Sequence, residues 1–246
     1  MKHPAVSSII LFEDENLIIV NKPPFITSEQ ENEPGSQSLL DILKKYDSTV
    51  RLCHRLDKET SGAIIGAKND ATYREISMKF QNKEIQKNYH AIIVGEREYN
   101  DNEINLPISK QGSYKAFIDK RDGKKAITFV TTVEPFKHYT LIVAKPETGR
   151  FHQIRIHLAS IGAPLMGDEL YGGEPFFLSS VKRKYKTGKY ADEQAVFTRA
   201  ALHSHSVTFE YKGQELSVIA PYPKDFEAVL KLLRKYDKLP EMTKAQ

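Results

Sequence analysis

A nine-residue segment, His54 to Gly62, carries the clearest chemical pattern in the chain and reads HRLDKETSG. Within it the cations Arg55 and Lys58 flank the carboxylate of Asp57, and a Thr-Ser-Gly sequence follows. Hydroxyl-to-backbone hydrogen bonds and a permissive glycine can fix the chain at such a turn. The segment therefore predicts an acid that is held in place and ionised; an ordinary surface ion pair beside a tight turn is the alternative.

Other chemical signatures are missing from the sequence. There is no Gly-x-Gly-x-x-Gly pattern, no phosphate-loop lysine motif and no paired metal-ligand spacing. His152 and His157 lie five residues apart, which places them on different faces of a helix, and Cys53 and His54 are neighbours that cannot easily share one ion. We interpret all four as structural residues, and we expect neither a metal nor a nucleotide cofactor.

Composition limits the class of protein. The 246 residues are 40% hydrophobic, so the chain can bury a full core, and the single cysteine fits a reducing compartment. No stretch approaches the roughly 20 apolar residues that a membrane span needs. We expect a soluble, cytoplasmic protein. The net charge of +4 leans toward polyanionic partners, but many enzymes share it, and it does not by itself establish RNA binding.

The elements that must position Asp57 are predicted from apolar periodicity and from capping signals. The first part of the chain is expected to contain a hairpin (9–12 and 17–20), a loop (27–37), a helix starting at Ser38, a strand (63–67), a helix capped by Asn69 or Asp70, and a strand (86–94). The second part is expected to contain a mostly irregular stretch (100–121), strands (126–133 and 139–144), a helix (151–161), a hairpin (206–211 and 215–219) and a last helix with Phe226, Val229, Leu230 and Leu233 on one face.

Strand pairs follow each other in sequence without regular βαβ alternation. This order predicts an α+β fold, in which a large, mainly antiparallel mixed sheet carries a central catalytic cleft and is flanked by a few helices. We expect a catalytic domain over residues 1–223, and over residues 224–246 a C-terminal helix packed on the same domain and a polar tail.

A basic segment precedes the last hairpin. Lys182, Arg183, Lys184 and Lys186 are interleaved with aromatic residues, Tyr185 among them. A solvated loop is one interpretation of such a run, and a phosphate-tracking surface with aromatic stacking partners is the other. Alanine at these four positions is expected to weaken RNA binding and to flatten its salt dependence if the second interpretation holds.

Three separate motifs resemble those of the RluA family of pseudouridine synthases. The segment from His54 to Gly62, followed by Ala67-Lys68, resembles the family signature. Residues 87–91, with Tyr89, resemble the second motif, and residues 148–159 with Gly167-Asp168 resemble the third block. The opening Asn21-Lys22-Pro23 and the late Leu202-His203 also fit. The match covers roughly residues 8 to 223.

The resemblance implies isomerisation of selected uridines in RNA to pseudouridine, without metal or cofactor. It assigns Asp57 as the catalytic carboxylate, acting as nucleophile or as charge stabiliser while the glycosidic bond breaks. Arg155 would pair with Asp57 and keep it ionised. Tyr89 would stack on the target base and help to remove its proton.

Because the reacting uridine must leave the RNA stack, the resemblance also implies a residue that fills the gap. Arg55 matches the family arginine suited to this, and Leu202 is expected to form an apolar wall of the pocket. Structural roles stay open for each: Arg55 could cap a turn, Tyr89 could be a core aromatic, and Leu202 packs in either case.

Many relatives carry a small RNA-binding domain ahead of the catalytic one, and here only a few residues precede the first strand. We therefore expect a single-domain member, a monomer without an obligate protein partner, which acts on tRNA or rRNA. The alternatives are a catalytically silent RNA-binding protein on the same scaffold and a carboxylate-dependent, glycosidase-like hydrolase. Intact Asp57, Tyr89 and Arg155 argue against the first, and the lack of a second suitably placed acid argues against the other.

Overall fold

The computed structural model describes residues 5–30, 37–183, 185 and 192–240. The chain forms two compact units: the first consists of Met1–His90, Lys145–Thr148 and Leu202–Pro223, and the second of Ala91–Ala144, Gly149–Ala201 and Lys224–Gln246. Strands in a mixed sheet and four α-helices make the described part of the chain an α+β fold, as predicted.

The first unit is built on the sheet that carries the Asp57 segment. Its elements are β1 (Ile10–Glu13), β2 (Leu17–Lys22), α1 (Leu39–Tyr46), β3 (Arg51–Leu52), β4 (Ser61–Ala67), α2 (Asp70–Gln81), the start of β5 (Gln86–Val94), β11 (Leu202–Tyr211) and β12 (Gln214–Ile219). Strand β2 pairs antiparallel with β1 and β4, β11 pairs antiparallel with β12, and β4 runs parallel to β11. That parallel pair makes the sheet mixed.

Local signals explain why the two helices of this unit begin where they do. Ser38 and Asp41 form a reciprocal capping box at the start of α1, and the side chain of Asn69 accepts the Thr72 N–H at the start of α2. The core beneath them is aliphatic and aromatic and includes Leu17, Ile19, Ile65, Ile76 and Phe209. The predicted helix start at Ser38 and the predicted cap at Asn69 are confirmed.

The second unit continues β5 and adds strands that the sequence did not predict. Its further elements are β6 (Asn102–Asn105), β7 (Ile108–Gln111), β8 (Lys115–Ile118), β9 (Ile127–Pro135), most of β10 (Tyr139–Pro146), α3 (Gln153–Ser160) and α4 (Lys224–Tyr236). Strand β9 lies between β10 and β6, while β7 and β8 form a separate hairpin.

Three expectations about elements were wrong. The stretch 100–121 contains β6, β7 and β8 rather than mostly loop, because these short strands are too polar to show an apolar alternation. Strand β11 begins at Leu202 rather than at residue 206, since its first residues pair with β4. Helix α3 ends at Ser160, which leaves the side chain of Ile161 outside it and exposed.

The last helix matches its predicted apolar face, since Phe226, Val229, Leu230 and Leu233 are all buried. It belongs to the second unit. The division into a 1–223 catalytic domain and a C-terminal addition, and the cleft across the sheet, stay predictions. Among the residues with described structure, no helix combines the length and the apolar character that crossing a bilayer requires.

Candidate active site

Asp57 lies half-buried in the loop between β3 and β4, and hydrogen bonds on both sides hold this loop. Its carbonyl oxygen accepts the Thr60 N–H at 3.1 Å, which closes a tight turn. One residue earlier, the Ser28 hydroxyl donates to the Leu56 carbonyl at 2.8 Å and accepts the Leu56 N–H at 2.9 Å. The backbone around the acid is therefore fixed by residues outside the nonapeptide as well as within it.

A buried lysine supports the other side of the loop. The Lys22 ammonium donates to the carbonyl oxygens of Pro23, Ile26 and Lys58 at 3.0, 2.7 and 3.1 Å, and the side chain is completely removed from solvent. Three donors on one ammonium suit three carbonyls, so Lys22 ties the end of β2 to the residue after Asp57. In the sequence, Lys22 is distinguished only as part of the Asn21-Lys22-Pro23 motif.

His54 and Cys53 anchor the start of the loop to β4. The Ile65 N–H donates to His54 Nε2 at 3.0 Å, and the Cys53 N–H donates to the Ile65 carbonyl at 2.9 Å. Burial, helped by the charge of Lys87, lowers the pKa of His54 to about 3, so the ring is neutral and its proton is on Nδ1. Burial also raises the pKa of the Cys53 thiol to about 12.

The Ser61 hydroxyl acts differently from the prediction. Ser61 Oγ lies 2.9 Å from His203 Nδ1, so it joins β4 to β11 rather than capping its own turn. Gly62 faces Ser204 across the same strand pair and has a φ of 115°. A β-carbon there would lie 2.2 Å from the Ser204 carbonyl oxygen, so this close approach of two strands requires glycine.

Tyr89 lies near the start of β5 and is buried, in the same unit as Asp57. Burial raises the pKa of its phenol to about 12; a hydrogen bond with Ser204 opposes the shift, and the negative charge of Asp57 adds to it. Ser204 follows Leu202 by two residues on β11, and Leu202 is buried as predicted. The structure thus brings Asp57, Tyr89 and the beginning of β11 into one neighbourhood of the first unit.

Arg155 lies on α3 of the second unit and is buried, together with a carboxylate that the sequence analysis did not assign. Its Nε and Nη2 atoms donate to the two oxygens of Asp168, both at 2.7 Å, in a bidentate pair. Asp168 is 1% exposed. The only signal for it in the sequence was the Gly167-Asp168 pair in the third motif.

His152 completes the support of Arg155. Guanidinium nitrogens carry only donors, so Arg155 Nη1 donates to His152 Nε2 at 3.1 Å, and the ring proton must be on Nδ1, 2.9 Å from the Tyr171 hydroxyl. Burial, together with the charge of Arg155, lowers the pKa of His152 to about 3. The neutral ring therefore links Arg155 to Tyr171. The predicted pairing of Arg155 with Asp57 stays a prediction.

The other histidine considered for a metal has hydrogen-bond partners of its own. His157 lies 2.9 Å from both Thr128 Oγ1 and the Leu106 carbonyl oxygen. Across the described ranges, no group of three or more His, Cys, Asp or Glu side chains could hold a metal ion. These contacts support the structural interpretation of His157.

Two of the proposed RNA-contacting regions are exposed. The Arg55 side chain is 66% exposed, and its Nη1 lies 3.9 Å from a Glu29 carboxylate oxygen. This contact is long for an ion pair, so the guanidinium stays accessible to RNA. Lys182 places its Nζ 5.7 Å from the Tyr185 ring centre and 5.4 Å from that of Tyr236, and Arg183 is exposed. Lys184 and Lys186 lie outside the described residues.

Comparisons with known proteins point in one direction. A family profile described as RNA pseudouridylate synthase matches residues 16–160. Ribosomal large subunit pseudouridine synthase D of Vibrio parahaemolyticus is 31% identical over 235 residues, which cover 92% of this chain and 70% of the relative. An uncharacterized RNA pseudouridine synthase of Helicobacter pylori is 37% identical over 221 residues, which cover 89% of this chain and 76% of the relative.

Solved structures share the fold. Human RNA pseudouridylate synthase domain containing 4 aligns with a TM-score of 0.71 at 23% identity and covers 94% of each chain. Human RNA pseudouridylate synthase domain containing 1 aligns with a TM-score of 0.68 at 21% identity, covering 98% of this chain and 100% of the other. At these identities the likeness concerns the arrangement of elements.

Proposed function

The chain belongs to the RNA pseudouridylate synthase family, and from that premise we propose that Asp57 is its catalytic carboxylate. The protein is an RNA pseudouridine synthase, an isomerase that releases uracil from C1′ of a uridine and rejoins it through carbon. The observation that carries the assignment of Asp57 is its loop, which Ser28, Lys22 and His54 hold in place. The buried Tyr89 lies near enough for the charge of Asp57 to raise its pKa.

A fixed carboxylate suits this reaction because positive charge develops on the sugar as the glycosidic bond breaks. Asp57 either adds to C1′ as a nucleophile or stabilises that charge, and both roles need the oxygen in one place. The loop contacts provide this placement without requiring the carboxylate oxygens themselves. A preorganised acid stabilises the developing charge better than a mobile one in water.

Tyr89 takes part as a neutral phenol. With a pKa near 12 it keeps its proton throughout the neutral range, so its aromatic face can pack against the flipped uracil while its hydroxyl stays in the hydrogen bond with Ser204. A phenolate would be scarce at neutral pH, which speaks against Tyr89 as the base that removes the uracil proton.

Arg155 supplies the counter-charge in the proposed mechanism. Asp168 and His152 fix its guanidinium from two directions, so its orientation does not depend on the substrate. We assign Arg155 to Asp57 as its partner in the working enzyme, where an opposite charge lowers a carboxylate pKa by about one to three units. The acid would then be ionised over the whole physiological pH range.

Arg55 and Leu202 receive the RNA. Flipping a uridine out of the stack costs a few kcal/mol, and the exposed, planar guanidinium of Arg55 can stack in the gap or contact phosphate. Leu202, buried beside Ser204, forms an apolar wall for the uracil ring. Lys182 and Arg183, with Lys184 and Lys186, would add phosphate contacts.

The substrate we favour is large-subunit ribosomal RNA, because curated relatives are named ribosomal large subunit pseudouridine synthases. A tRNA target is the second candidate within the same reaction. We further propose that the enzyme works in the cytoplasm as a monomer; the single cysteine, Cys53, is consistent with a reducing compartment.

The decisive experiment is Asp57→Asn, assayed with total RNA from cells that lack the protein. The amide keeps the size of the side chain but removes the charge, so pseudouridine formation in tritium-release or chemical-mapping assays should be abolished while thermal unfolding and RNA affinity stay near wild type. Asp70→Asn, an exposed carboxylate at the start of α2, is the matched control and should stay active.

Each other outcome has a distinct meaning. Full activity of Asp57→Asn would remove Asp57 from the mechanism. A wild-type protein that binds RNA but forms no pseudouridine would be a silent RNA-binding protein, and release of free uracil would indicate a hydrolase. The positions modified by the wild type, mapped in both ribosomal RNA and tRNA, identify the substrate.

A further inference from the structure

The hairpin of β7 and β8 and the turn that follows it carry an unusual concentration of positive charge. Between residues 108 and 125 the acids are Asp119 and Asp122, and the six cations are Lys110, Lys115, Lys120, Arg121, Lys124 and Lys125. All of these cations are exposed except Lys115, which is half-exposed. A positive field of this kind attracts polyanions.

No carboxylate among the described residues balances the charge of these cations, in contrast to several other cations of the chain. Elsewhere in the chain Lys68 pairs with Glu13, Lys83 with Glu147 and Arg234 with Glu134. Within the ranges the structure describes, none of the six hairpin cations forms an ion pair with a carboxylate. Asp119 instead accepts the Ser109 hydroxyl and the N–H groups of Arg121 and Asp122. The charge of this segment is therefore available to a partner.

Two aromatic side chains accompany the cations. Tyr114 lies between the two strands and is 62% exposed, and Phe117 on β8 is 41% exposed. In the strand register Phe117 is opposite Ser109, and Lys115 is opposite Gln111, so Phe117 and Lys115 share the face that points away from the buried Ala116. Cations next to exposed aromatic rings suit phosphates next to unstacked bases.

The segment is rigid at its base. Ile108 and Ala116 are buried in a cluster with Ala126 and Tyr171, and the Ala116 N–H donates to the Tyr171 hydroxyl at 2.7 Å. Ile108 and Lys124 exchange two backbone hydrogen bonds of 2.9 Å. The cationic side chains thus project from a preformed scaffold, and little backbone order has to be gained on binding.

The same cluster links the hairpin to the catalytic side of the second unit. The Tyr171 hydroxyl that accepts the Ala116 N–H also lies 2.9 Å from His152, which in turn accepts a hydrogen bond from Arg155. Helix α3 carries Arg155, and His152 is the residue directly before its first turn. A partner bound to the hairpin would be held in fixed relation to the arginine proposed for catalysis.

We propose that the segment 108–125, which we call the basic hairpin, is an RNA-docking surface that contacts unpaired nucleotides and their phosphates in the substrate. This inference rests on the proposed function, since it concerns the same RNA. The basic hairpin is separate in sequence from the segment around Lys182, and it has a packed, hydrogen-bonded base. An anionic membrane is a less suitable partner because Tyr114 and Phe117 alone offer little apolar surface to insert.

The test replaces Lys120, Arg121, Lys124 and Lys125 together by glutamine. The control replaces four exposed lysines outside the hairpin, Lys44, Lys45, Lys231 and Lys235, by glutamine, so both variants lose the same four charges from a net charge of +4. The probe is total RNA from cells that lack the protein. Binding is measured as a function of salt concentration, and pseudouridine formation as a function of RNA concentration.

The hairpin variant should bind RNA about tenfold or more weakly, with a salt slope reduced by up to about four, because each lost phosphate contact removes roughly one. Its loss should appear in KM and be relieved at high RNA concentration. A second variant, Tyr114→Ser, should weaken binding without changing the salt slope, since it removes stacking rather than charge.

Equal losses in the hairpin variant and its control would overturn the proposal, because net charge alone would then explain binding. Wild-type binding by the hairpin variant would overturn it as well. If the wild type binds vesicles containing phosphatidylglycerol and the hairpin variant does not, while both bind RNA alike, the surface is a membrane site. A wild type that makes no pseudouridine would refute the proposed function instead, which keeps the two failures distinct.

Discussion

Tyr89 keeps its proton because it is buried, and this decides what it can do in the reaction. Its pKa is raised to about 12, above the value near 10 of a free phenol. If the phenolate were the active form, the rate would rise about tenfold per pH unit toward that value, because the ionised fraction does. If the neutral phenol is the active form, Tyr89 imposes no pH dependence below about pH 11.

We therefore expect the single-turnover rate of the wild type to be flat between about pH 8 and about pH 10 as far as Tyr89 is concerned. Tyr89→Phe keeps the ring and loses the hydrogen bond with Ser204, so the rate should fall by less than about tenfold, in line with about 1 kcal/mol for one such bond. Rate constants measured across this range for both proteins check the expectation. A slope of one that disappears in Tyr89→Phe would contradict it.

Removing the Asp168 carboxylate would leave the buried Arg155 guanidinium without its bidentate partner. Asp168→Asn would place the buried Arg155 guanidinium against an amide, and breaking a buried pair in this way costs about 3–5 kcal/mol. We expect a lower urea midpoint and a kcat reduced at least about tenfold, since a misdirected guanidinium cannot serve a charged transition state.

Glu169→Gln removes an exposed carboxylate from the next position and serves as the control for that experiment. It should leave both the urea midpoint and kcat near wild type. Asp168→Asn with an unchanged kcat would show that Arg155 needs no such support.

The pair of β4 and β11 is the element that joins the Asp57 loop to Leu202 and Ser204. Gly62 makes the close contact possible, so Gly62→Ala would combine an unfavourable φ with a 2.2 Å clash against backbone. We expect a loss of at least about 2 kcal/mol in the free energy of unfolding, together with reduced activity. Urea unfolding and pseudouridine formation measure the two effects.

The control for strand packing is Gly213→Ala. Gly213 also has a positive φ, of 75°, but nothing lies within 4 Å of a β-carbon there. Gly213→Ala therefore measures the free energy cost of the positive φ alone, without the steric clash that Gly62→Ala adds. Equal destabilisation by both changes would mean that the close approach of β4 and β11 is not what requires glycine at position 62.

Across the whole molecule, the sequence predicted those elements whose signals are local. The capping box at Ser38, the cap at Asn69 and the apolar face of α4 each lie within a few residues, so α1, α2 and α4 followed directly. Strands β6 to β8 were missed because they are short and polar, and the extra length of β11 was missed because its partner on β4 lies about 140 residues away.

The site shows the same division between local and distant information. Asp57, Tyr89 and Arg155 were assigned from motifs, but Asp168 and Lys22 were not, because no local pattern tells which cation a turn carboxylate meets or which carbonyls a lysine reaches. The basic hairpin was overlooked for a related reason: its six cations became distinctive only when the structure showed that they have no carboxylate partner among the described residues, while several other cations do.

Cys53 offers a practical consequence of the packing beside the Asp57 loop. With its pKa raised to about 12 it holds almost no thiolate at neutral pH, so alkylating reagents scarcely react with it in the folded enzyme. Local unfolding that breaks the hydrogen bond from the Cys53 N–H to the Ile65 carbonyl exposes the thiol to water. The thiol then regains ordinary reactivity, because its burial is lost. Because Cys53 is the single cysteine of the chain, its rate of alkylation, measured by mass spectrometry, reports local unfolding next to the proposed catalytic acid without an engineered label.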